Sequence, residues 1–241
     1  MFNAKNRELD VVAEKNSSAA ISDLMMDVIY KRRSVRRFTD EPVAEEDIKV
    51  ILEAARWAPS GENSQGWRFI VIKNKEIIQK LGEISGDGSA RRFTGEFVSK
   101  RLHSRFTGLD DEAKKKKVFE KLMSGNVSRF VSTAPVVIAV VGKKDVWDVQ
   151  LDNAAAIENM LIMISALGLG ATWVIAPCTD IRDELEVNKL LAVNKDFKVI
   201  SIIPVGHMEN LPKARPRLEL EEITYENKMG NPYFMDQGEK R

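Results

Sequence analysis

The stretch APVVIAVVG, Ala134–Gly142, is apolar almost throughout and rich in valine. An uninterrupted apolar run of strand length marks a central strand, because a strand with one wet face alternates instead. Around it the chain must supply further strands and helices. WRFIVIK, Trp67–Lys73, and VISIIPVG, Val199–Gly206, read as strands, and ATWVIAP, Ala171–Pro177, begins a short one.

Helical spacing fills the intervals. Ile21, Leu24, Met25, Val28 and Ile29 recur at three and four residues. DEPVAEED, Asp40–Asp47, carries the proline and acidic first turn that open a helix, whose stripe Ile48, Ile51, Leu52 and Ala55 ends near Pro59. Lys75–Ile84, Val149–Leu167 and Asp183–Leu191 complete the helical set, and residues 1–17 read as a loose arm or irregular short helix. Ser85–Arg129 is the least regular part: GDGSARRFTG is turn-like, and LDDEAKKKKVFEKLM is a charged helix whose lysines Lys114–Lys117 face solvent. Its apolar residues, from Phe93 to Leu122, are too many for a free linker. The expectation is an insertion at 85–129 that forms a lid or an interface.

At 241 residues and 44% hydrophobic content, the chain has material for one sizeable core, so a single domain over 1–241 is expected. Its 37 basic and 36 acidic residues leave a formal charge of +1, which argues against a protein that coats nucleic acid or anionic membrane. Any phosphate recognition must be local. Cys178 is the lone cysteine, without a histidine nearby in sequence, and reads as a buried or loop thiol. Two separated histidines, His103 and His207, do not make a zinc enzyme. No signal-like segment opens the chain, and Leu161–Leu169 is too short to span a bilayer. A cytoplasmic location without membrane attachment is expected.

Three polar clusters interrupt this pattern. KRRSVRR, Lys31–Arg37, is a basic knot at a helix exit, where guanidinium forks and the Ser34 hydroxyl can meet a phosphate or simply offset the helix dipole. APSGENSQGWRF, Ala58–Phe69, is a turn-rich loop with amides and hydroxyls of both hydrogen-bonding senses, suited to a polar heterocycle or to plain loop geometry. ENLPKARPR, Glu209–Arg217, holds Lys213 and Arg215 in a proline-stiffened segment, where alternate side chains point the same way. Gly168 and Gly170 do not form a dinucleotide fingerprint, and no Walker-type phosphate loop is present. Trp173 packs in the core or stacks near a ring.

In order and spacing these clusters resemble the flavin-dependent nitroreductase family, over about Ser22–Arg217. RRSVRRF is similar to its phosphate-binding motif, APSGENSQGWRF to its proline, serine, asparagine and glutamine loop, and LPKARP to its late basic motif. The resemblance implies an α+β nitroreductase-like fold, with a central mainly antiparallel sheet flanked by helices, in an intertwined homodimer that binds FMN at the subunit interfaces. By motif position, Arg32, Ser34, Lys213 and Arg215 would meet the phosphate, with Arg33 adding a contact. Arg36 would approach the pyrimidine edge of the flavin. Pro59, Ser60, Asn63 and Gln65 would line the ribityl chain or ring. Ile175 and Ala176 would pass one ring face and offer a backbone donor to the reactive nitrogen. TWVIAPCTD, Thr172–Asp180, lacks the glutamate and glycine pattern of one branch, and Gly66 stands where a proline is common.

The implied activity is ping-pong reduction of a small acceptor, a nitroaromatic or quinone, with NADH or NADPH as donor and no catalytic side chain or metal required. Reductive dehalogenation and non-catalytic flavin binding are the alternatives. A C-terminal arm at 218–241, anchored by Tyr225, Pro232, Tyr233 and Phe234, is expected to cross a partner subunit.

Overall fold

The computed structural model describes residues 15–234, so the expected arm at 1–17 falls almost wholly outside the described residues. In chain order the elements are helices α1 (Lys15–Lys31) and α2 (Glu45–Arg56), strand β1 (Trp67–Ile72), then helices α3 (Lys75–Val98), α4 (Arg101–Ser104), α5 (Glu112–Met123) and α6 (Asn126–Arg129). Strand β2 (Val136–Lys143), helix α7 (Val149–Ala166), strand β3 (Gly170–Ala171), helices α8 (Ala176–Thr179) and α9 (Ile181–Leu190), strand β4 (Phe197–Gly206) and helix α10 (Leu220–Ile223) follow.

The strands form one antiparallel sheet in the order β1-β2-β4-β3. Strand β2 is paired on both edges, running from Trp67↔Gly142 to Ile72↔Val137 on one side and starting at Val136↔Val205 on the other. Side chains alternate across a strand, so its apolar run divides in two. Val136, Ile138 and Val140 join Ile48, Ile51 and Ala55 of α2 and Ala156, Ile157, Met160, Leu161 and Ile164 of α7. Val137, Ala139 and Val141 join Ile78, Leu81 and Ile84 of α3 and Val187 of α9. Both faces are covered by helices, which is why the sequence shows no alternation here. Each fully buried aliphatic side chain contributes roughly 1.5–3 kcal/mol relative to exposure.

Local signals place most helix ends. Glu45, Glu46 and Asp47 sit in the first turn of α2, where negative charge faces the positive end of the helix dipole. Asn74, Asp111 and Asp180 each accept a backbone N–H at the starts of α3, α5 and α9.

Two expectations change. The turn-like segment Gly86–Gly95 lies inside α3, which continues from Lys75 to Val98. Its glycines serve close approach rather than turning. A Cβ on Gly82 would lie 2.7 Å from the Ser132 side chain, and one on Gly88 would lie 2.6 Å from the Ala176 carbonyl oxygen. The short strand after Gly170 stops at Ala171, with a single further bridge from Val174 to Ile202. Pro177 then opens the helical turn α8, a position where its missing N–H costs nothing.

The segment after α3 packs against that helix, with Leu102 and Phe119 buried. Phe97, His103 and Phe106 surround Phe119 with ring centroids 5.0–5.8 Å away. Lys114, Lys116 and Lys117 are exposed, whereas Lys115 is half-buried. Among the described residues, no helix is long and apolar enough to cross a membrane.

Candidate functional site

Helix α1 ends where the Arg32 N–H donates to the Val28 carbonyl at 3.1 Å. Beyond it the chain is extended and runs beside the edge of the sheet. Ser34 forms a parallel bridge to Ala171, and the Val35 N–H donates to the Ala171 carbonyl at 2.9 Å. The Thr172 hydroxyl closes this junction on the Val35 carbonyl. Val35 and Phe38 are buried, whereas Ser34 and Arg36 are exposed.

The late basic segment leaves from the same place. The Thr39 N–H donates to the His207 carbonyl at 3.0 Å, and the Glu209 N–H to the Arg37 carbonyl at 3.3 Å. Arg36 and Arg215 consequently approach one another. Partial desolvation of its guanidinium in the cleft, followed by the positive charge of Arg215, holds Arg36 below its ordinary pKa, although the residue as a whole is exposed. Arg36 also donates to the Ser34 carbonyl at 3.3 Å and lies 5.8 Å from the Phe130 ring centroid. Two like charges lining one cleft favour an anion there.

The remaining knot residues point elsewhere. Arg32 faces Glu158 of α7, Nε to Oε1, at 3.6 Å. Arg33 turns back to the carbonyls of Tyr30 and Arg32, leaving its buried Nε without a hydrogen-bond partner. Lys213 is exposed and makes no ion pair among the described residues.

The amide loop is built by strain and one buried carboxylate. Glu62, Asn63 and Gln65 have φ of 54°, 55° and 46°, in the left-handed region. Asp152 of α7 is buried and accepts from the Gly61 N–H at 3.0 Å and the Ser64 hydroxyl at 3.1 Å. Ser60 Oγ accepts the Gln65 N–H at 3.1 Å, and the Gln65 amide donates to Asn63 Oδ1 at 3.1 Å. Pro59 is exposed beside them. Asp152 carries no polar-loop signal in sequence, yet it is a charged residue among the positions α7 buries. That mismatch is what could have revealed it.

Within one chain the amide loop and the body of α1 meet α7 at separate points. The loop is fixed at Asp152, whereas the Ser165 hydroxyl reaches the Val28 carbonyl at 3.2 Å near the other end. At a helical rise of ~1.5 Å per residue, Asp152 and Ser165 are about 20 Å apart.

Arg36 and Arg215 open instead onto a cleft of about 760 Å³. One wall is the segment Thr172–Ala176, so Ile175 and Ala176 stand at the same opening. The opposite wall comes from α3, α5 and α6, through residues such as Phe93, Lys121 and Asn126. Trp173 is 38% exposed and lines the cleft rather than the core. Next to this wall, Cys178 is partly buried. Burial, with Glu184 and Asp183 nearby, pushes its thiol up to about 12.

Residues 29–207 match the model of the Nitroreductase family. The chain belongs to the nitroreductase family. Its α+β architecture, a central antiparallel sheet flanked by helices, is that of solved nitroreductase-type proteins. An FMN-dependent nitroreductase from Clostridium difficile R20291 has a TM-score of 0.63 at 23% identity, covering 84% of this chain and 99% of that one. Among curated relatives, the iodotyrosine deiodinase of Thermotoga neapolitana is 27% identical over 200 residues, 82% of this chain and 95% of its own. The FMN reductase (NADPH) of Bacillus subtilis is 24% identical over 203 residues, 84% of this chain and 73% of its own. The matched region holds the basic knot, the amide loop and the Ile175 segment, whereas Lys213 and Arg215 lie just beyond it.

Proposed function

We propose that this family member is an FMN-dependent oxidoreductase that takes a hydride from NADH or NADPH and reduces a small acceptor, such as a nitroaromatic or a quinone, by a ping-pong sequence. The observation that carries the proposal is the meeting of Arg36 and Arg215 at the mouth of an aromatic cleft. Their paired charge and the open cleft suit a ligand with both a phosphate and an electron-rich ring edge.

In this reading Arg32, Ser34, Lys213 and Arg215 hold the phosphate, with Arg33 adjoining. Arg36 faces the pyrimidine edge and stabilises negative charge that develops there on reduction. Ile175 and Ala176 border the ring and offer backbone donors. Bound FMN supplies the hydride-accepting and hydride-donating chemistry. The chain's part is to bind, orient and shield; protons come from solvent in the open cleft. Donor and acceptor use that cleft in turn, so oxidised nicotinamide leaves before the acceptor enters.

The amide loop is anchored at Asp152 of α7, and in the knot of the same chain Arg32 faces Glu158 of that helix. In this reading Pro59, Ser60, Asn63 and Gln65 reach the flavin from a second copy, in a homodimer. Ile21, Leu24, Met25 and Tyr30 of α1 expose 47–67% of their surface, as a face awaiting a partner would. Leu218, Leu220, Tyr233 and Phe234 of the C-terminal arm are exposed in the same manner. Reductive dehalogenation is the second reading, favoured by the deiodinase relative.

Anaerobic absorption spectroscopy tests the proposal. Purified protein should hold an oxidised flavin spectrum that bleaches with NADH or NADPH and recovers with a nitroaromatic or quinone. Recovery with a halogenated phenol alone favours the dehalogenase reading. Failure to bind added FMN, or a flavin that neither donor bleaches, overturns the reductase assignment.

A further inference from the structure

The cleft beside Arg36 carries more positive charge than a flavin can use. Its lining includes Arg36, Arg37, Arg92, Lys121 and Arg215, and no aspartate or glutamate. Arg36 and Arg215 belong to the cofactor in the reading above. Arg92 and Lys121 come from α3 and α5, which form the opposite wall.

Neither is neutralised where it stands. Arg92 pairs with Glu96 at 2.9 Å, but the same carboxylate also accepts from Arg105 at 2.6 Å. One negative charge is thus divided between two guanidiniums. Lys121 makes no ion pair among the described residues, although acidic partners serve Lys114 and Lys115 on the same helix. Aromatic surface accompanies the charge: Arg92 lies 5.6 Å from the Phe93 ring centroid, and Phe130 and Trp173 line the same space. Asn126 and Ser128 add short polar side chains from α6 and its edge.

We propose that this wall selects an acceptor that is an aromatic ring bearing an anionic group, a carboxylate or sulfonate, held by Lys121 and Arg92 while the ring lies among Phe93, Phe130 and Trp173. The inference rests on the reductase reading and names the class of acceptor for that same site. Charge-assisted hydrogen bonds from two cations on one wall are strong enough to separate an anion from its neutral isostere. Arg92 also has a flat guanidinium suited to carboxylate geometry. The cations need touch only the substituent, leaving the reducible group free to face the flavin side.

The test uses flavin-loaded protein with 4-nitrobenzoate and 4-nitrobenzamide as acceptors, at a saturating nicotinamide. The benzoate should be favoured in kcat/KM by about tenfold, and the preference should shrink towards unity in the R92Q/K121Q double variant and in high salt. Lys121→Arg should retain it. Calorimetric titration with 4-hydroxybenzoate and 4-hydroxybenzamide gives an independent reading without turnover: the anion should bind the wild type more tightly and the double variant without preference. Equal discrimination in wild type and double variant, or tighter binding of the amide, overturns the proposal. A preference for NADPH over NADH that vanishes in the double variant, with no benzoate preference, overturns it by assigning these cations to the donor's phosphate. Should neither donor bleach the flavin, the reductase reading falls by itself, and calorimetry still decides the anion site.

Discussion

At the scale of single residues, Asp152 is the side chain on which the amide loop depends. It satisfies the Gly61 N–H and the Ser64 hydroxyl from within the apolar helix α7. Asp152→Ala removes both hydrogen bonds and leaves the exposed Gly61 and Ser64 donors to water, a loss of about 1 kcal/mol. The expected outcome is a lower melting temperature together with weaker FMN retention, read by calorimetry and by flavin fluorescence on dilution. Unchanged retention would show that the strained loop holds its shape without the carboxylate. Cys178 behaves in the opposite way and should be chemically silent. With its thiol pushed up to about 12, it carries on the order of a thousandfold less thiolate at pH 8 than an ordinary cysteine. Labelling by a thiol reagent should be slow in the native protein and rapid in urea; rapid native labelling would contradict the burial that raises it.

Among the secondary-structure elements, α3 separates two effects of glycine. In an exposed helix interior, Gly→Ala stabilises by roughly 1 kcal/mol through propensity and backbone entropy. Gly95 has open space where a Cβ would go, so Gly95→Ala should raise the melting temperature. At Gly88 the added Cβ would lie 2.6 Å from the Ala176 carbonyl and 2.7 Å from Asp183 Oδ2. Overpacking of that sort costs typically 1–3 kcal/mol, so steric conflict outweighs propensity. Gly88→Ala should therefore lower the melting temperature and, by moving α8, perturb the Ile175–Ala176 wall of the cleft. Parallel melting curves of the two variants check both signs. The glycines also show why α3 was legible in sequence only as far as Ile84. Gly86 and Gly88 look like turn residues until the neighbours that exclude a side chain are known. By contrast, β2 and α2 were readable, because an unbroken apolar run and an acidic first turn report local physics.

Across the whole molecule, exposed apolar surface on α1 and the C-terminal arm suits assembly of two copies. Leu24 is 64% exposed on α1. Under the homodimer reading, Leu24→Glu would bury two charges in a symmetric interface, a cost of several kcal/mol. Light scattering should find the wild type at twice the chain mass and the variant shifted to monomer. A wild type at single-chain mass would remove the two-subunit flavin site.

The sequence by itself determined β1, β2, β4, the helices α2, α7 and α9, and the three polar clusters, since each rests on periodicity, turn chemistry or charge within a few residues. Tertiary structure alone decided that Arg36 and Arg215 converge, that Asp152 holds the amide loop, and that Arg92 and Lys121 share a wall with Trp173. Those relations join residues far apart in the chain. The first arises where β3, the extended knot and the segment after β4 run edge to edge, the second from α7 and the third from α3 and α5, and no local pattern of residues encodes those approaches.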